Sequence, residues 1–127
     1  RDYYASRGLG DVYKRQVNDM DEFYIKPQDY GVRTGVRKLS ITDADGVGMM
    51  ICNPDRDLSF TARHFTQALM QRSMHYDDLH SEHTTVIDID GFLRGTGTGS
   101  CGPDVLPQYT VDGRKELAYS FVIVPIK

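Results

Sequence analysis

Short runs of β-branched, aromatic and aliphatic residues, many alternating with polar ones, recur along most of this 127-residue chain, with turn formers between them. A two-residue period sends alternate side chains to opposite faces of an extended strand, so such a chain is suited to sheets with one buried face. The pattern predicts strands near residues 36–42, 48–53, 58–63, 84–89, 108–111 and 117–125. Asp43-Ala-Asp-Gly46 separates the first two, and Asp112-Gly113 the last two. Asp-Gly accepts positive φ at little cost, which predicts antiparallel hairpins at both places. Asp90-Gly91 reads as a third turn or a bulge. One window is helical, residues 66–74, with Leu69 and Met70 inward and Thr66 near its start. The expected fold class is all-β, an antiparallel β-sandwich segment.

The stretch from Gly95 to Tyr109 has a different character. Glycines at 95, 97, 99 and 102 permit sharp bends, while Pro103 and Pro107 stiffen the exit. A loop shaped in this way either turns a corner or serves a site. Its glycines superficially suggest phosphate binding. A dinucleotide fingerprint needs a helix directly after them, however, and Gly102-Pro103-Asp104 does not start one, so nucleotide binding is rejected.

Four segments, taken in order, resemble bacterial β-galactosidases of glycoside hydrolase family 2. Pro27-Gln-Asp-Tyr-Gly-Val-Arg-Thr-Gly-Val-Arg37 is similar to that family's Pro-Gln-Glu-x-Gly-x-Arg-x-x-x-Arg segment. Leu58-Ser-Phe-Thr-Ala62 is similar to its Phe-Ser-Phe-Ser-Ala strand, and Ile87-Asp-Ile-Asp-Gly91 to its Leu-x-Ile-Asp strand. Ser100-Cys101-Gly102-Pro103 resembles its Ser-Cys-Gly-Pro or Ser-Trp-Gly-Pro loop. The resemblance covers about residues 20–127 and implies the last part of the C-terminal small-chain domain, an incomplete piece of a galactose mutarotase-like supersandwich. It further implies a parent that hydrolyses terminal β-galactosides with retention of configuration and carries its catalytic glutamates in a separate barrel. Magnesium and sodium would be held by that parent, with no cofactor in this chain. The partners implied are the catalytic barrel, the galactoside and further copies in a homo-oligomer.

Residues 1–16 have no initiator Met, no apolar leader core and no counterpart in the family pattern. They are expected to be a non-native, adapter-derived tail and are set aside, leaving 17–127 as the domain segment. That remainder has 11 basic against 16 acidic residues, −5 with His neutral, which argues against a nucleic-acid partner. Cys52 and Cys101 cannot make a disulfide framework, and no run is long and apolar enough to span a membrane. The bacterial cytoplasm is the expected location, with the periplasm left open. An incomplete sandwich leaves strand edges and apolar faces uncovered, so marginal stability and aggregation are expected.

Glycoside hydrolysis needs two carboxylates roughly 5 Å apart for retention. Asp43, Asp45, Asp88, Asp90 and Asp112 sit beside glycine or alternate along strands, as turn makers and solvent-facing residues do. No catalytic residue is therefore assigned. The residues expected near substrate are Gly99, Ser100 and Cys101, because the resembling loop borders the galactoside site. Where relatives offer an indole, Cys101 offers a small thiol, and Tyr109 is the nearest ring. Arg33 is a second substrate-binding candidate, since a guanidinium forks onto paired acceptors; the favoured reading of Arg33 and Arg37 is a clamp between strands. Asp29 and Tyr30 depart from the Glu and Asn common in the family. His75, His80 and His83 lie close together but lack the spacing of a zinc helix, and no metal site is assigned. His64 is expected to bond within the fold. Two other classes compete: a non-catalytic carbohydrate-binding module, which needs rings gathered on one face, and a mutarotase-like sugar-binding domain, which needs a converging acid and base.

Overall fold

The computed structural model describes residues 2–7, 11–17, 21–23, 25, 30–94 and 102–127, with 2–7 and 11–16 given as backbone only. Strands dominate: β1 (Asp2–Arg7), β2 (Asp11–Gln16), β3 (Arg33–Val36), β4 (Lys38–Thr42), β5 (Gly48–Cys52), β6 (Leu58–Arg63), β7 (Val86–Asp90) and β8 (Val122–Ile126). One short helix, α1 (Gln67–Arg72), follows β6. A five-stranded sheet runs β2-β1-β4-β5-β8 and a three-stranded sheet runs β3-β6-β7, every pairing antiparallel. The fold is all-β and sandwich-like.

The β4–β5 hairpin forms where Asp43-Ala-Asp-Gly46 predicts it. Gly46 adopts φ +83°, which a side chain would strain, and the Asp43 carboxylate accepts from the Asp45 and Val47 amides at 3.0 Å. The segment expected as one strand over 36–42 breaks instead at Arg37. Its first part pairs with β6 through an irregular register and its second with β5, so the chain crosses between sheets there. The strand expected at 108–111 is replaced by a 3-10 turn, Pro107–Tyr109. Pro107 lacks an amide proton and has its φ preset for a helical first position, which suits a turn and not a ladder. Asp112-Gly113 makes a local turn, with the Arg114 amide bonded to Asp112 Oδ1 at 3.1 Å, but joins no hairpin. The last strand is accordingly short, and β8 pairs with β5. Residues 2–16, set aside above, carry β1 and β2, and β1 pairs with β4 over Asp2–Ser6.

The main core lies between the sheets. Leu39, Ile41 and Ile51 from one sheet meet Val36, Leu58, Phe60 and Ala62 from the other, with Val17 enclosed and Ile87 and Ile89 alongside. Residues directly opposite in a ladder share a face. Leu39, Ile51 and Ile123 form one such row, and Ile41, Met49 and Pro125 the next. Leu39 and Ile51 are buried, yet Ile123 is 55% exposed. Among the described residues, the inner face of the larger sheet therefore continues past its cover at β8. The buried Asn53 holds this edge in place: its amide donates to Ser120 O at 2.6 Å, while its Oδ1 accepts from the Asp55 and Arg56 amides.

Candidate functional site

A second, smaller core of Ile25, Tyr30, Phe65 and Met70, with Leu69, Tyr76 and Leu79 packed on it, supports a cleft at one end of β6. Local sequence explains how the cleft is built. Thr66 caps α1 by accepting from the Leu69 amide at 3.3 Å, and Ser73 closes it by donating to Leu69 O at 2.8 Å. This one-and-a-half-turn helix turns Met70 inward and delivers the chain to a 3-10 turn at Tyr76–Asp78. Asp78 Oδ2 accepts from the Met74 and His75 amides, both at 2.9 Å, which holds its carboxyl below the usual range.

The cleft encloses about 290 Å³ and is lined by Asp21, His64, Phe65, Tyr76, Leu79 and Ser81. Asp21 Oδ2 accepts from the Tyr76 hydroxyl at 3.3 Å and the carboxylate also accepts from Tyr30, whose oxygen takes the Glu22 amide at 2.8 Å. His64 bonds within the fold, as expected: its Nδ1 lies 3.2 Å from Thr84 O. The same nitrogen lies 3.4 Å from Thr85 Oγ1, a hydroxyl that can donate or accept. Burial raises the Asp21 pKa, opposed by the two phenols and by His64. Burial also raises Tyr30 and Tyr76, with Asp21 adding to both.

These directions give a pH prediction. A carboxyl whose folded pKa lies above its unfolded one costs the fold stability once ionised. The cost is absent below the ordinary Asp value and appears as pH rises through the folded value. Asp21→Asn should therefore stabilise the chain at neutral pH, and the gain should vanish in acid below the ordinary carboxylate range. Urea midpoints of both proteins across pH check this.

A second, more open cleft of about 520 Å³ is lined by Phe92, Leu93, Val105, Gln108, Tyr109, Thr110 and Val111. These residues flank Gly95–Cys101 on both sides. Gly99, Ser100 and Cys101 themselves lie outside the described residues, as do Pro27, Gln28 and Asp29. Arg33 lines neither cleft: it pairs with Glu22 at 3.6 Å and donates to Val32 O at 3.3 Å. Arg37 pairs with Asp57 at 3.9 Å, both exposed. His75, His80 and His83 are exposed, and among the described residues no three His, Cys, Asp or Glu converge on a metal position. Nor is any helix among those residues long and apolar enough to cross a membrane.

Sequence reasoning passed over the guanidinium that is buried, Arg63. Its side chain is 3% exposed and meets the half-exposed Asp88 at 2.6 Å, Thr61 Oγ1 at 2.7 Å and Gln67 Oε1 at 3.0 Å. Its Nε is buried with no partner among the described residues. The alternation in Thr61-Ala-Arg63 and in Asp88-Ile-Asp90 carried the signal, but only the β6–β7 register brings the two together. A third grouping is aromatic. Tyr119 lies 6.2 Å from Phe121, nearly parallel, and 6.4 Å edge-on from Phe92, which Arg56 covers at 4.4 Å. The Tyr119 ring occupies the space where any side chain at Gly91 would stand.

The family model described as beta galactosidase small chain matches residues 2–123. A β-galactosidase of Halalkalibacterium halodurans is 31% identical over 124 residues, which are 94% of this chain and 12% of that protein. One from Staphylococcus xylosus is 29% identical over 93% of this chain and 12% of its own length. A β-galactosidase small subunit of Latilactobacillus sakei is 26% identical over 79% of this chain and 35% of that subunit. The chain thus spans about an eighth of the first two relatives.

Proposed function

This chain belongs to the β-galactosidase small-chain family, and on that premise we propose that it is the C-terminal part of a family 2 glycoside hydrolase that cleaves terminal β-galactosides with retention. Within it this segment is an assembly element without catalytic residues of its own. The observation that carries the reading is the uncovered inner row at β8. Ile123 shares a face with Leu39 and Ile51 yet is exposed, and Val122, Val124, Phe121, Tyr119 and Leu117 are exposed beside it. Apolar surface of this kind marks an interaction site, and among the described residues no strand pairs with the edge of β8 away from β5, which leaves its ladder groups available to another strand. The occupant we assign is the remainder of a longer β-galactosidase chain, in keeping with the eighth of its relatives that this chain spans.

Chemistry supports the inert role. Hydrolysis requires an acid and a nucleophile aimed at one sugar from two sides. Seven of the described carboxylates are engaged otherwise: Asp43 and Asp78 in turns, Asp57, Asp88, Asp104 and Asp112 with arginines, Asp21 with two phenols. The 95–102 loop is proposed to border the galactoside site, through Gly99, Ser100 and Cys101. Its support is the apolar cleft between its two stems, where Tyr109 could lie along a sugar. The test is complementation. The chain alone should release nothing from a chromogenic β-galactoside, and mixing it with the remainder of its longer chain should restore cleavage. Cleavage by the chain alone, or none from the mixture while the chain alone retains saccharide, would refute the assembly reading, the latter favouring a binding module built on the Phe92–Tyr119–Phe121 rings.

A further inference from the structure

We propose that the cleft between residues 21–23 and 64–81 binds a monosaccharide. Its volume, about 290 Å³, falls near the lower end of small-ligand pockets. Its lining mixes the groups a pyranose needs. Asp21 accepts only, Tyr76 and Ser81 both donate and accept, and His64 offers a ring nitrogen, while Phe65 and Leu79 are apolar. Sugar hydroxyls donate and accept at once, and such a set answers both demands. A carboxylate accepts up to about four bonds, so Asp21 retains capacity beyond its two phenols. Phe23, outside the lining itself, is 86% exposed with its ring 5.4 Å from that of Tyr76, an aromatic beside the cleft able to lie on the C–H face of a sugar.

Other small ligands fit less well. An anion such as phosphate meets Asp21 in the cleft and Glu22, Asp77 and Asp78 close by in the chain. A cation would use Asp21 and the rings but has no use for the Ser81 hydroxyl or the Asp21 phenols, which already donate into that carboxylate. A neutral polyol uses both.

The site is independent of the assembly reading, and the two are measured by different assays, so either can fail alone. The experiment is a titration of the full 127-residue chain with D-galactose and D-glucose, followed by amide NMR, with choline and inorganic phosphate as comparison ligands. One of the two sugars should shift the amides of His64, Phe65, Tyr76 and Ser81 saturably at millimolar concentration. Asp21→Asn and Phe23→Ala should each weaken binding several-fold, while undisturbed β6 amides report an intact fold. The proposal is overturned if neither sugar gives saturable shifts there up to about 100 mM, well beyond the millimolar affinity expected. It is equally overturned if both variants bind like wild type, or if choline or phosphate, and not the sugars, moves these amides.

Discussion

Phe60→Ala is expected to leave the chain without a cooperative fold, whereas Phe60→Leu keeps it. Phe60 is 0% exposed at the middle of β6, where it touches the inner row of the opposite sheet and stands across from Ile89. Truncating a buried Phe removes its transfer energy and leaves a cavity, about 3–5 kcal/mol together. Whole domains hold only about 5–15 kcal/mol. A chain whose larger sheet has an uncovered face at β8 belongs at the bottom of that range, so the loss is comparable with everything it has. Leucine restores most of the volume and should cost far less, about 1–2 kcal/mol. Near-ultraviolet circular dichroism and urea titration separate the outcomes. A normal unfolding midpoint for Phe60→Ala would mean that the sheets are not joined through this residue.

The second large effect concerns Arg63 and Asp88. Breaking a buried ion pair from one side strands the other charge, at about 3–5 kcal/mol, whereas replacing both by apolar groups is often neutral. Asp88→Ala leaves the Arg63 guanidinium buried with only the neutral oxygens of Thr61 and Gln67. Because Asp88 is half-exposed and partly screened, a cost near the lower figure, about 3 kcal/mol, is expected. Arg63→Met should be milder, since it also removes the unpartnered Nε and leaves Asp88 able to hydrate. The double variant should recover much of the Asp88→Ala loss. Urea midpoints for the four proteins close the cycle. Should Asp88→Ala cost no more than the exposed Asp104→Ala, the pair does not hold β6 to β7.

The sandwich class was legible because period-two alternation survives in β4, β5, β6 and β7, and because Asp43-Ala-Asp-Gly46 has turn chemistry that needs no tertiary help. The 58–63 strand and the Thr66-capped helix followed from the same local rules. What escaped depends on contacts between distant segments. No local signal tells that the chain changes sheets at Arg37, or that the 117–125 run would pair with β5 in preference to a hairpin partner. The cleft shows the same limit. Asp21, His64 and Tyr76 lie in three separate stretches, so only packing of the Tyr30–Phe65 core assembles them. His64 was singled out; Asp21 and Tyr76 were not, and Arg33 drew attention that the buried Arg63 merited. β1 and β2 matched none of the motifs quoted from the sequence, yet they pair as strands and lie within the stretch that the family model covers.

The central claim is that the exposed row at β8 is an assembly surface for the rest of a β-galactosidase chain. Hydrogen exchange over residues 117–126, with and without that remainder, measures it directly. The account predicts rapid exchange at the outer edge of β8 in the chain alone, strong slowing in the mixture, and loss of that slowing in Ile123→Asp. Identical exchange in both samples, in a mixture that cleaves galactosides, would contradict it.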